Sequence, residues 1–216
     1  MSSNEFDQES YWIRRHDQYR GDPRSVGTFA ATREQNELGE KQLKEIVGVL
    51  AGLLPKRGNV LDLGCGYGRV ASSFLEQGLS YEGIDISPVA VRRARQENPG
   101  GTFTLGNIDE WVPQQQYDVV ALLFVLVHFV DDQRWQRLLE AAVSAVAPRG
   151  YLIVADEMGG DTERAAMHFK SRRLARFDPI IEAGGLRWDW DLRERLLSCF
   201  PGVRQATMFY FASKPD

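Results

Sequence analysis

Cysteine is scarce in this chain, with only Cys65 and Cys199 among 216 residues. Two cysteines so far apart offer neither a zinc-ligand spacing nor a disulfide framework. An apolar core must therefore hold the fold, and a reducing, cytoplasmic location is expected. Basic charge is not in excess either: 26 Lys and Arg face 30 Asp and Glu, for a net charge of -4. Such a chain has no general attraction for a phosphate backbone, which argues against DNA as a partner and favours a small-molecule acceptor. Long apolar stretches are also missing. The run at 119–130 is broken by His128 and falls short of the roughly 20 residues that span a bilayer. Met1 to Asp7 has neither the basic region nor the apolar core of a secretory leader, so no membrane association is expected.

What is present is ordinary globular material, 43% hydrophobic and 26% charged, in a length that suits one core. One domain over 1–216 is expected, as a monomer or homodimer. A helix at 7–20 would carry Trp12, His16 and Tyr19 on one face, with Tyr11 and Arg15 beside them. A second, at 33–54, aligns Leu43, Ile46, Val47, Leu50, Leu53 and Leu54 and stops before Pro55. Short apolar runs then alternate with helical patterns. Strands are expected at 59–63, 81–86, 102–105, 117–124 and 151–156, and helices at 69–77, 88–96 and 132–147, which is the alternation of a parallel α/β sheet. Beyond it, 161–177 reads as a basic helix, Gly184-Gly185 as a break, 188–199 as a helix and 203–213 as a strand.

The most informative stretch is Asn59 to Ala71, where Val60-Leu61-Asp62-Leu63 runs into Gly64, Gly66 and Gly68 and then into a helix-compatible segment. Glycine permits the sharp turn and removes the Cβ that would hold a ligand away, while a helix start offers unpaired N–H groups. Several cofactors use such corners. Gly66 to Ala71 fits the dinucleotide spacing G-x-G-x-x-G/A, and Asp85 follows Gly66 by 19 positions, near where an acid for a ribose hydroxyl is expected. However, Gly64-Cys65 intervenes between strand and fingerprint, and Asp62 lies within the strand's end.

The whole run Leu61-Asp62-Leu63-Gly64-Cys65-Gly66-Tyr67-Gly68 resembles the first motif of the class I S-adenosylmethionine (SAM)-dependent methyltransferases. Tyr81-Glu82-Gly83-Ile84-Asp85-Ile86-Ser87-Pro88 resembles their second, and the resemblance covers about residues 40 to 155. It implies a Rossmann-like, doubly wound, mostly parallel seven-stranded sheet with an antiparallel C-terminal strand. Two strands would close the sheet edge, although 201–215 leaves little room for both. The N-terminal segment 1–32 would be a helical lid and 157–187 an insertion on the substrate side.

The same resemblance implies SAM as cofactor and S-adenosylhomocysteine as product. Gly64, Cys65, Gly66 and Gly68 would admit the methionine part, with Asp62 holding its ammonium. Asp85 would take both ribose hydroxyls and Ile86 would pack on adenine; alternatively Asp85 caps the following helix, a task better suited to Ser87. Asn107 and Ile108 would meet the adenine edge. The family commonly has an acid near Asn107, so a register two residues off would give that place to Asp109. Phe124 would line the methionine side, and Cys65 is expected to be a small packing residue rather than a nucleophile.

Three histidines are available for proton transfer: His16, His128 and His168. His128, just past the fourth strand, is the candidate general base or else an orienting group. Tyr11, Trp12, His16 and Tyr19 would either close over the cofactor and touch the acceptor or pack on the sheet edge. Met158 and His168 would border the acceptor, or be exposed. There is no Asn/Asp-Pro-Pro-aromatic segment of base-amino methyltransferases and no Pro-Cys pair for cytosine C5 attack. The fourth strand ends without a carboxylate, so metal independence is expected. These features suggest methyl transfer to an oxygen or nitrogen of a small metabolite. Methylation of a protein or RNA, a non-catalytic SAM-binding module and a nicotinamide-dependent oxidoreductase are the alternatives.

Overall fold

Strands buried on both faces need largely apolar runs, and the two near the centre of this sheet have them, broken only by Asp62 in the first and by Asp118 near the start of the second. The computed structural model describes residues 6–28, 30–54, 58–158 and 162–215. Along β1 (Asn59–Leu63), Val60 enters one apolar cluster while Leu61 and Leu63 enter the other. β4 (Tyr117–Leu123) does the same with Val119 and Ala121 against Val120 and Leu122. Beside them lie β2 (Ser80–Asp85), β3 (Thr102–Leu105) and β5 (Val146–Ala155). Two short strands, β6 (Ala165–Ala166) and β7 (Phe169–Lys170), form a separate hairpin, and β8 (Arg187–Trp188) and β9 (Phe209–Ser213) complete the main sheet. Its seven strands run in the order β3-β2-β1-β4-β5-β9-β8. The first five are parallel; β9 is antiparallel to both β5 and β8.

Helices cover both faces. α1 (Gln8–Gln18) is the N-terminal helix, and α2 (Arg33–Leu53) begins at a capping box in which Thr32 and Gln35 exchange bonds. α2 packs with α3 (Ala71–Leu75), α4 (Pro88–Glu97), α7 (Trp190–Cys199) and the short α8 (Arg204–Thr207) over one face. α5 (Asp132–Ser144) and α6 (Asp178–Ala183) cover the other, where the Trp135 and Phe177 rings meet edge to face at 4.9 Å. Asp131 caps α5 by accepting from the Arg134 N–H, and Ser87, as expected, caps α4 by accepting from Ala90. The chain passes from β1 outward through β2 to β3 on one side and then returns from β3 to β4 on the other side of β1, so a crevice opens at the carboxyl ends of β1 and β4. No helix among the described residues is long and apolar enough to cross a membrane.

Element ends shift: the strand expected at 151–156 begins at Val146, the helix expected at 132–147 stops at Ser144, and that expected at 69–77 covers Ala71–Leu75. Three larger expectations change. The basic helix read over 161–177 is instead the β6–β7 hairpin followed by a single 3-10 turn at Leu174–Arg176; Asp161 lies outside the described residues, as do 55–57. The cause is distant: Lys170, Arg172 and Arg176 all converge on Asp132 at the start of α5. Both closing strands are present, because the sixth lies ahead of α7. Trp188 belongs to β8, and α7 starts only after Asp189, whose carboxylate caps it. The stretch 203–213 divides into α8 and β9.

The corner after β1 is seated against β2. A Cβ on Gly83 would lie 2.7 Å from the Cys65 sulfur. Gly83→Ala is therefore expected to destabilise by about 1–3 kcal/mol. Combining it with Cys65→Ala should cost less than the two single changes summed, because the second removes the clashing atom. Urea denaturation of all four proteins measures this, and simple additivity would mean that the two residues do not press on each other.

Candidate functional site

Past β1 the chain turns through three left-handed glycines, Gly64, Gly66 and Gly68, with φ of +79, +57 and +73°. The N–H groups of Gly64 and Cys65 both reach the Ile84 carbonyl, at 2.8 and 3.0 Å, which holds the corner against the end of β2. Gly66 N–H donates to Oδ2 of Asp85 at 2.8 Å, and Ser87 N–H to Oδ1 at 2.9 Å. Asp85 thus joins the corner to its own turn and leaves the capping of α4 to Ser87.

A cleft of about 920 Å³, its open mouth included, lies over this junction. Asp62, Gly64, Cys65 and Gly66 line it from the corner, and Asp85, Ile86, Asn107 and Ile108 from the strands beyond. Phe124 and His128 line it from the end of β4, and Trp12 and His16 from α1. The expected cofactor set is thus brought together with one exception. Gly68 is not part of the lining: a Cβ there would meet Asn98 and the Phe103 ring at 3.0 Å, so its lack of a side chain serves packing. Gly64 and Gly66 also pack closely, since an added Cβ would come within 2.6 Å of Val125 and 3.0 Å of Val26 respectively, but unlike Gly68 both line the cleft.

Of the N-terminal aromatics, Trp12 and His16 reach the cleft. Tyr11 instead stacks on the His168 ring at 5.2 Å, and Tyr19, at the C-cap of α1, lies under the Arg24 guanidinium at 5.0 Å. Arg15 fastens the helix to the loop that follows by donating to the Arg24 and Gly27 carbonyls. That loop brings Val26 over Gly66. Sequence reasoning missed Gln8, Glu9, Arg69 and Arg134, all of which line the cleft. Gln8 was within reach, since 8, 12 and 16 share one helical stripe.

The electrostatics are dominated by the burial of individual side chains. Oδ2 of Asp62 accepts from the Tyr81 hydroxyl at 2.5 Å, while Oδ1 is buried with no partner. Burial raises this carboxyl to about 6, against the opposing pull of Tyr81 and Arg69. An unpaired buried oxygen beside a cleft is what an ammonium group or an ordered water would satisfy. Burial likewise pushes the Cys65 thiol well above its usual range, which removes it as a nucleophile. His16 is lowered by burial, with Asp85 pulling the other way. His128 is lowered by burial to about 4. Its Nδ1 lies 2.9 Å from the His168 carbonyl, which can only accept, so Nδ1 carries the proton and Nε2 presents a lone pair. The Trp12 ring meets His128 edge-on at 4.7 Å. Phe124 adopts φ of +60°, rare for a bulky residue and costing about 1–3 kcal/mol, a strain typical of ligand sites.

Asn107 lines the cleft and Asp109 does not: the Asp109 carboxylate turns to Arg134 at 2.9 Å. Met158 and His168 do not line the cleft. Met158 is buried at a second recess beyond β5, and His168 acts through its carbonyl on His128. Among the described residues no three His, Cys, Asp or Glu side chains are grouped to hold a metal ion.

Residues 33–201 match the family described as a methyltransferase domain. The ubiquinone biosynthesis O-methyltransferase of Acinetobacter baumannii (strain AYE) is 32% identical over 131 residues, which cover 57% of this chain and 52% of that protein. The trans-aconitate 2-methyltransferase of Delftia acidovorans is 28% identical over 119 residues, 54% of this chain and 43% of that protein. The chain spans about half the length of the curated relatives it matches. The crystal structure of magnesium protoporphyrin IX methyltransferase from Synechocystis PCC 6803 with bound SAM shares the fold, with a TM-score of 0.68 at 17% identity over 99% of this chain and 100% of that one.

The raised Asp62 carboxyl has a consequence for the free protein. The native state keeps this proton up to about pH 6, whereas the unfolded chain releases it near 3.8, so its contribution to stability declines as pH rises through that window. Asp62→Asn is expected to remove that part of the decline. Unfolding free energies at either end of the window test this, and a slope unchanged by the substitution would contradict it.

Proposed function

The chain belongs to the class I SAM-dependent methyltransferases, and on that premise we propose that it uses SAM to methylate an oxygen or nitrogen of a small, cytoplasmic metabolite. The observation that carries this reading is the convergence, in one cleft, of the Gly64–Gly66 corner, the unpartnered Oδ1 of Asp62 and the carboxylate of Asp85. A zwitterionic amino acid joined to a nucleoside needs such a set: close backbone approach, an acceptor for its ammonium and an acceptor for paired hydroxyls. Arg69, which also lines the cleft, supplies a counter-charge for the amino acid's carboxylate. Ile86 and Ile108 sandwich the base, and Asn107 offers its amide to the base edge.

Bound SAM would supply an electrophilic methyl carbon: the acceptor lone pair forms the new bond as the S–CH3 bond breaks, the sulfonium becomes the thioether of S-adenosylhomocysteine, and the acceptor's proton is released to solvent. The chain's own task is alignment and the exclusion of water. Trp12 and His16 close the cleft from α1, and Phe124 and His128 shape the end where β4 stops. His128, neutral with its lone pair on Nε2, accepts a hydrogen bond from the acceptor and orients it; with a value of about 4 it is a weak base for removing a strongly held proton. The similarity to a ubiquinone biosynthesis O-methyltransferase and a trans-aconitate 2-methyltransferase supports a small-molecule acceptor over a macromolecule.

Labelled SAM incubated with a metabolite extract and, separately, with protein and RNA fractions tests the reading. Label is expected among small molecules. Label in protein or RNA would overturn the acceptor class, and SAM binding without transfer to any fraction would overturn catalysis.

Two substitutions probe the roles. Asp85→Ala is expected to weaken SAM binding by roughly 1.5–3 kcal/mol through lost charge-assisted hydrogen bonds; affinity equal to wild type would remove Asp85 from the site. His128→Asn is expected to lower turnover while leaving SAM affinity near wild type. Because His128 is neutral throughout the physiological range, it should add no ionisation step to the wild-type pH–rate profile near neutrality. A step near pH 7 that vanishes in His128→Asn would instead make it a general base.

A further inference from the structure

Beyond β5, at the same end of the sheet, a second recess of about 1060 Å³ with its open mouth included shares no lining residue with the cleft. Its walls carry Arg164, Arg172, Arg173, Arg193 and Arg204 against only two acids, Asp156 and Glu157, in a chain whose net charge is -4. Two of the arginines are fixed. Arg172 is buried, bonded to Asp132 and to the Phe129 carbonyl at 2.8 Å each. Arg193 donates to the carbonyls of Phe209 and Thr207, at 3.1 and 2.8 Å, and lies over the Tyr210 ring at 4.5 Å.

The positive charge on this wall is left largely uncompensated. Arg164 and Arg204 share the single carboxylate of Glu157. Arg193 pairs with carbonyls, not with an acid, and the Arg173 guanidinium has no partner among the described residues. Asp156 is 4% exposed, accepts from the Glu157 N–H at 2.7 Å and is raised to about 8 by burial, which reduces the negative charge it would set against an anion. A concave wall of planar donors, some rigid and some free to turn, matches the oxygens of carboxylates and phosphates.

We propose that this recess is a second ligand site, separate from the cleft, that binds a small anion bearing carboxylate or phosphate groups. The inference rests on the recess alone and does not require the methyl-transfer reading.

Inorganic phosphate and citrate, titrated calorimetrically into the whole protein at constant ionic strength, are the probes. At least one is expected to bind saturably, and whichever binds more tightly identifies the preferred oxyanion. The double variant Arg173→Gln/Arg204→Gln changes exposed side chains only, so its melting temperature should match wild type. Its affinity for the bound probe should fall roughly tenfold or more, while SAM affinity stays that of wild type. The proposal is overturned if neither probe saturates, if the double variant binds the probe as wild type does, or if SAM and the probe displace one another.

Discussion

One hydrogen bond, from the Gly66 N–H to Asp85, does more than any other to shape this molecule's ligand end. The carboxylate that accepts it also takes the Ser87 N–H, so a single side chain fixes the corner after β1, the end of β2 and the approach to α4. Only a left-handed residue can present that N–H from the tight turn, which is why glycine stands there. An ionised carboxylate has about four acceptor positions, and two are used by the backbone. Those that remain belong to a group that lines the cleft, available to a ligand's hydroxyls.

Around that bond the site accumulates features that stability alone would not select. Asp62 keeps one buried oxygen unpaired, Phe124 holds a strained backbone, and His16 and His128 are buried in their neutral forms. Each is costly, and each is offset by the double-sided core of β1 and β4, where Leu61, Leu63, Val120 and Leu122 are fully buried. Rigidity in those strands is what allows the loops at their ends to carry strain, because a site on a firm scaffold can be held in a shape that its own residues do not prefer. The N-terminal helix is a different matter. α1 is held by Arg15 to its own loop and by Tyr11 to His168, and it touches the sheet end mainly through Trp12 on His128.

Local chemistry was legible in the sequence, and distant pairing was not. The glycine corner and the Ser87 cap depend on a few adjacent residues, whereas Asp62 and Asp85 are singled out through the resemblance of the two motifs that contain them. Trp12 and His16 were legible from helical spacing, but Tyr19 was not separable from them until the helix was seen to stop at Gln18. Gly68 reads like its neighbours because a glycine that packs against Phe103 leaves the same letter as one that admits a ligand. β8 is two residues long and exists only through its pairing with β9. The 161–177 stretch looked helical because its charges resemble a solvated face, whereas they are organised by Asp132, which lies about 40 positions earlier than Arg172. The arginine recess left no sequence signal, since its walls come from three separate segments.

The most direct test of a cleft built for SAM is the proton balance of its binding. In the free protein Asp62 titrates at about 6, and an ammonium placed at its unpaired oxygen would favour the ionised form. Calorimetry of SAM binding in buffers of different ionisation heat should therefore show protons released near pH 6 and almost none near pH 8, with the release abolished by Asp62→Asn. Binding without proton release near pH 6, or the absence of saturable SAM binding, would contradict the account.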